Sequence, residues 1–297
     1  MTTPQTQGRS VASLVSSVKT LEGGGFVVRR PFPTQALDNL DPFLLLDEMG
    51  PVHLGPGEAM GAPDHPHRGF ETVSYILAGD LEHKDSQGNA GRLGAGDVQW
   101  MTAGAGVVHS EMPSREFRES GGTMHGFQLW VNLPARDKMM KPRYQDVPAA
   151  RIPVATSDDG KVRVRVVAGE SLGARAVIDT RTPIMYLHFT IAPGGRVVQP
   201  IPREYNAFAY IINGLAHLGR YERTATEGQL AVLAGDGDDL LIASPDDAVG
   251  PLDLLLIGGL PLGEPVARYG PFVMNTQQEI VQAFDDYRRG RLGRIDF

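Results

Sequence analysis

The sequence predicts an all-β protein built as two antiparallel β-barrels with one C-terminal helix, and three observations predict it. Several segments alternate with period two, the mark of half-buried strands: Val162, Val164 and Val166 against Lys161, Arg163 and Arg165; Met185, Leu187, Phe189 and Ile191; and Val73, Tyr75 and Leu77. Turn signals separate these runs at Gly79-Asp80, Gly88-Asn89, Gly94–Asp97, Gly194-Gly195, Gly235–Gly237 and Gly258-Gly259, as in a barrel or sandwich of short strands. The chain also echoes itself. His65-Pro66-His67 leads into Tyr75-Ile-Leu-Ala-Gly79, and roughly 135 residues later Pro200-Ile201-Pro202 leads into Tyr210-Ile-Ile-Asn-Gly214. Gly96-Asp97 is echoed by Gly237-Asp238. Two copies of one β unit follow from such a repeat, residues 1–134 and 135–297, with the seam in Asn132–Pro148.

The helix lies near the end. Asn275 or Thr276 caps it, Glu279 completes a capping box, Ile280, Phe284 and Tyr287 form its apolar stripe, and Gly290 stops it. A short turn is expected around Asp38–Leu40.

Composition excludes several function classes. The 297 residues carry a net charge of −7 with no long basic run, which argues against direct nucleic-acid binding. There is no cysteine, so no disulfide framework, thiolate metal site or thiol nucleophile exists. The start of the chain is polar, and Val11–Val18 is broken by Ser13, Ser16 and Ser17, so no signal peptide is read there. No apolar run approaches the roughly 20 residues that span a bilayer. A cytoplasmic protein without a membrane partner is expected.

The chemistry is concentrated in two short pairs. In His65-Pro66-His67 the imidazoles are at i and i+2, on one face of a strand. His109-Ser110-Glu111 repeats the pattern with one imidazole and one carboxylate. On neighbouring strands the two pairs supply three nitrogens and an oxygen to one divalent ion, suited to iron, copper, nickel, manganese or zinc. Glu71, four residues after His67, competes with Glu111 for the fourth position. His53, His83, His188 and His217 have no partner motif and are read as structural. Gly104 and Gly106 allow close backbone approach beside the metal or its ligand, or simply form a turn. Pro200 and Pro202 stand where the second copy would need ligands, and proline offers no donor atom.

These residues resemble the pirin family. The resemblance is carried by His65-Pro-His-Arg-Gly-Phe-Glu-Thr-Val-Ser-Tyr75, by Gln99-Trp-Met-Thr-Ala-Gly104, and by Val108-His-Ser-Glu-Met-Pro113. Asp41-Pro-Phe-Leu-Leu-Leu-Asp47, Leu129-Trp-Val-Asn-Leu-Pro134 and Gly270-Pro-Phe-Val-Met-Asn275 extend it along the chain. It implies a bicupin, two cupin-type barrels packed face to face, with one metal, Fe(II), in the N-terminal barrel alone. The ligands implied are His65, His67, His109 and Glu111. The general cupin pattern has proline near Gly104, a departure that pirins share.

The resemblance also implies two functions. One is a quercetin 2,3-dioxygenase type of activity on a flavonol-like aromatic with O2, in which Glu111 is both ligand and general base. The other is a regulator that binds a transcription factor or metabolic enzyme according to its metal state. Met60, Trp100, Met124 and Phe127 are the apolar lining expected for the first.

Overall fold

The structure, a computed structural model, describes residues 8–297. The first part of the polar start, read above as carrying no leader, lies outside the described residues. The chain divides into two compact units. One comprises residues 19–33, 43–149 and 262–297; the other takes the residues up to Val18 together with 34–42 and 150–261. The division is therefore not a single cut at residue 134. Val11–Ser16 runs antiparallel to Gln229–Leu233 at the edge of the second unit's sheet. The C-terminal helix packs instead within the first unit.

Each unit has the same plan, one seven-stranded and one four-stranded sheet, with antiparallel pairing. These are the two cupin-type domains that the sequence predicts, each built of jelly-roll sheets that do not close into a continuous barrel. In the first unit the large sheet runs, from one edge, Arg143–Val147, Val98–Thr102, Phe70–Ala78, Gly122–Asn132, Phe43–Leu54, Phe26–Phe32 and Val18–Glu22. The small sheet runs Ala62–His67, Val107–Pro113, Leu81–Asp85 and Ala90–Leu93. In the second unit Asn206–Asn213 takes the place of Phe70–Ala78, and Arg196–Pro200 that of Ala62–His67.

The repeat is thus real, with two corrections in its details. Gly96 donates its N–H to the Ile76 carbonyl, 2.7 Å, at the turn before Val98–Thr102; the residue that does the same in the second unit is Gly228, to Ile211, 2.9 Å. Gly237-Asp238 is a different turn. Pro200 and Pro202 are exposed. The buried positions alternating with them are Val197, Gln199 and Ile201, and the facing strand presents buried Leu240 and Ile242. Apart from Gln199, whose amide is hydrogen-bonded to Ser171 and to the Glu170 and Pro200 carbonyls, these inward positions are apolar, and the prolines are not among them.

Alternation of burial is obeyed in two of the three runs where it was read. Val162, Val164 and Val166 share one core with Met185, Leu187, Phe189 and Ile191. The strand Phe70–Ala78 is different, being buried on both faces through Ile76.

The C-terminal helix spans Gln277–Arg288, with Thr276 as N-cap and a reciprocal capping box to Glu279. Ile280 and Ala283 are buried against Phe272, Met274 and Val108, and Phe284 is half-buried edge-on to Phe272. Tyr287, expected in that stripe, is 39% exposed, and Asp286 is buried in its stead. A second short helix, Arg115–Ser120, is capped by Ser114 and was not read from the sequence.

Candidate metal centre

Two neighbouring strands of the small sheet carry the two pairs. Antiparallel pairing sets His109 opposite His65 and Val107 opposite His67. With period two this aims His65, His67 and His109 to the same side, and their donor atoms lie within 4.8 Å of one another. The ring centroids are 4.4–4.9 Å apart.

The donor atoms themselves fit a divalent ion. His65 Nδ1 lies 2.8 Å from the Pro63 carbonyl, leaving Nε2 as its free nitrogen. The Nδ1 of His67 is buried without a hydrogen-bond partner. Neither nitrogen of the fully buried His109 has a partner. Leaving a buried polar atom unsatisfied costs about 1–3 kcal/mol, a penalty that metal ligation removes. Burial, then the neighbouring imidazoles, pushes His67 well below its usual range. Burial takes His109 down to about 4. Both are therefore neutral at pH 7, the form that binds metal.

Glu111 is on the same strand face but outside the three-imidazole group. Its Oε1 accepts from Ser74 Oγ at 2.8 Å and its Oε2 from Gln128 Nε2 at 2.9 Å. Gln128 Oε1 in turn accepts from Trp130 Nε1 at 3.3 Å. Burial raises the Glu111 carboxyl, but the facing His109 and His65 and these two hydrogen bonds outweigh it and hold the group below its ordinary range. The facing imidazoles and the Ser74 and Gln128 donors together favour its ionised form.

Glu71 lies on the opposite side of its strand. Ser74, three residues on, faces Glu111, so Glu71 faces away, and its carboxylate accepts from Thr102 Oγ1 at 2.6 Å. The same parity sorts the expected lining. Trp100 pairs with Val73 and Phe127 with Tyr75, all on the Glu71 side. Met124 sits in a separate cluster with Ile76, Leu81, Leu93 and Phe117, and Met60 is 54% exposed.

The aromatic wall is instead Phe70 and Trp130, 5.1 and 5.3 Å from the His67 ring. Trp130 and Gln128 were within reach of the sequence, being two apart on one strand, but no local signal says which face of that strand looks inward.

His83, read as a lone structural histidine, pairs with Glu111 across the sheet. Its ring is buried, stacked on Tyr144 at 5.4 Å, with Nε2 3.7 Å from Asp146. His53, His188 and His217 lie outside the three-imidazole group. The glycines of the adjacent loop make close approaches, though not to the site: a Cβ on Gly104 would meet the Met140 carbonyl at 2.2 Å, and one on Gly106 would meet Leu292 and Arg68.

Lys138 is a further buried charge beneath the site. Its Nζ donates to the Gly69 carbonyl at 2.8 Å, Asn132 Oδ1 at 2.7 Å and the Val273 carbonyl at 3.1 Å. None is charged, and burial lowers its pKa from 10.5 to about 8. Between those values the unfolded chain keeps a proton that the folded chain has lost, so this group makes stability rise with pH across that window. Denaturant melts of wild type and Lys138→Met between about pH 7 and about pH 10 should show that rise in the wild type alone. Parallel curves would disprove the shift.

A bicupin with a three-imidazole centre in one of its two units is what fold and site define. Residues 25–131 match the Pirin family, and residues 186–293 match the Pirin C-terminal cupin domain. The chain belongs to the pirin family. It is 48% identical to a pirin-like protein of Solanum lycopersicum, over 92% of this chain and 89% of the other. Human Pirin is 42% identical, over 96% and 94%. A crystal structure of quercetin 2,3-dioxygenase from Acinetobacter baumannii shares the fold with a TM-score of 0.90 and 36% identity, covering 97% of this chain and 99% of that one. No helix among the described residues is long and apolar enough to cross a membrane.

Proposed function

We propose that this protein is a metal-dependent dioxygenase of the quercetin 2,3-dioxygenase type, acting on a flavonol-like aromatic with O2. The observation that carries it is the cluster of three imidazoles with partnerless buried nitrogens, facing the same interior as an ionised carboxylate held by Ser74 and Gln128. The 36% identical quercetin 2,3-dioxygenase supports the substrate class. His65, His67 and His109 hold the metal, Fe(II) by preference, with Glu111 as its fourth ligand. A divalent metal there supplies Lewis acidity and redox chemistry towards O2.

The rest is the work of the chain. Glu111 accepts the proton of the flavonol hydroxyl, and Ser74 and Gln128 keep the carboxylate aimed and ionised until then. Phe70 and Trp130 pack against the His67 ring and keep water from that side. His65, the one imidazole of the three that is not buried, marks the open side of the centre. The second unit holds no metal in this reading, since its inward positions are Val197, Gln199, Ile201, Leu240 and Ile242.

The burial of His67, His109 and Glu111 favours a second reading, a regulator whose metal state alters a protein-binding surface. Quercetin turnover separates the two. Protein loaded with Fe(II) should consume quercetin with matching O2 uptake in an oxygen-electrode assay. Loss no faster than with free Fe(II) would remove the dioxygenase reading and leave the regulator.

A further inference from the structure

We infer that His83, together with Tyr144, forms a subsite that takes a phenolic hydroxyl of the substrate, on the far side of Glu111 from the strand bearing His65 and His67. The inference deepens the dioxygenase reading above and rests on it for the substrate class.

Strand register places both side chains in the interior that holds the metal centre. His83 is directly opposite Glu111 on the neighbouring strand of the small sheet, and side chains so paired share a face, with Cβ atoms about 4.5–5.5 Å apart. Tyr144 reaches the same space from the large sheet. Across that sheet it is in line with Met101, Thr72 and Trp130, and Trp130 packs on the His67 ring. The two rings meet, with centroids 5.4 Å apart and planes 20° from parallel. His83 is two strands along the small sheet from His65 and His67, about 10 Å at the usual spacing of paired strands. A flavonol, a fused pair of rings carrying a third, is long enough to span that distance.

What marks the place as a subsite is that its polar atoms are buried and unused. His83 is 2% exposed, and neither of its ring nitrogens has a hydrogen-bond partner among the described residues. The buried Tyr144 hydroxyl has none either. The acids on this face do not supply one. Asp146 Oδ2 is 3.7 Å from His83 Nε2, too long for a hydrogen bond. Asp85, two residues after His83, already accepts from Gln87 N at 2.9 Å and from Asn89 N and Nδ2 at 2.8 Å. An imidazole buried only for packing would have its nitrogens bonded within the protein. A neutral imidazole offers one donor and one acceptor, and a phenolic hydroxyl answers either. The sequence also makes room for the ring. A Cβ on Gly91, opposite His83 on the next strand, would meet Nε2 at 2.4 Å, so glycine there is what lets the imidazole lie where it does.

The test compares quercetin with 3-hydroxyflavone, which has the same rings and the same 3-hydroxyl but no other hydroxyl. In full-length protein loaded with Fe(II), wild type should favour quercetin in kcat/KM. His83→Leu should lower the ratio of quercetin to 3-hydroxyflavone by about 3–10-fold, the worth of one neutral hydrogen bond, with the change in KM rather than kcat. Taking the ratio cancels any general loss of fold or metal. His83→Gln keeps a donor and an acceptor and should retain part of the preference. Should His83→Leu fail to fold, Gly91→Ala keeps the imidazole but displaces it, and is read in the same way. Dissociation constants of the two flavonols for metal-free protein, from quenching of tryptophan fluorescence, give the same ratio without turnover.

A wild type that turns over both flavonols alike, or a ratio that the variants leave unchanged, overturns the subsite while the dioxygenase reading stands; the buried nitrogens then hold water only. If wild type turns over neither, the dioxygenase reading falls and the binding ratio decides. A preference for quercetin that is lost in His83→Leu keeps the subsite, and equal or absent binding overturns it as well.

Discussion

Glu111→Gln is expected to keep most of the bound metal and to lose about 10²–10⁴-fold in quercetin turnover, the usual contribution of a general base. The three imidazoles form the cluster without Glu111, so removing its charge leaves the main ligand set intact. What disappears is the proton acceptor. The amide can still accept from Ser74, but its NH2 then confronts the Gln128 NH2 unless Gln128 turns over and gives up its bond from Trp130. The pH dependence follows from the same group. The Glu111 carboxyl titrates below its ordinary range, so wild-type turnover should hold down to mildly acid pH and fall only as the carboxylate is protonated. The residual turnover of the variant should lack that acid limb. Turnover per metal ion, with metal content measured on the same sample, is the check. Equal values in the two proteins would remove the base role from Glu111.

His109→Ala should have the other large effect: metal content falling from about one ion per chain to near zero. His109 is fully buried with both ring nitrogens free of hydrogen bonds and is one of the three imidazoles whose donors converge, so its loss leaves two. Glu111 is already held by Ser74 and Gln128, and Glu71 faces the other side of the sheet. The fold should survive, because the strand remains paired on both edges, to Ala62–His67 and to Leu81–Asp85. Binding to the native state alone stabilises by RT ln(1 + [L]/Kd), about 2.7 kcal/mol at a hundredfold excess over Kd. Added Fe(II) should therefore raise the melting temperature of wild type and leave that of His109→Ala where it was. A variant that still gains stability and retains a full equivalent of metal would mean that the three imidazoles are not the site.

Much of this was legible locally. His-x-His and His-x-Glu announce shared faces because strand periodicity is a property of two neighbouring residues. The capping box of Thr276 and Glu279 lies within one helical turn. The alternating valines of Val162–Val166 report their own burial. These readings needed no knowledge of distant contacts.

What only the tertiary structure decided is which face of each strand looks inward, and against what. Glu71 and Glu111 are equally plausible by spacing, and the pairing that sets Ser74 beside Glu111 is what turns Glu71 outward. The same choice of face exchanges Trp100 and Phe127 for Gln128 and Trp130 as site wall, brings His83 beside Glu111, and puts Val197, Gln199 and Ile201 rather than the prolines inside the second unit. A shift of one residue moves a whole strand's side chains to the other face. That parity is set by cross-strand hydrogen bonds between segments tens of residues apart, and the contact of Arg68 with Asp286 joins residues 218 apart in the chain. The sequence by itself therefore determined the all-β, two-domain class, the His-x-His and His-x-Glu pairs and the final helix, because each is written within a few residues; register across the sheets decided which carboxylate and which aromatic rings lie on the side of the three imidazoles.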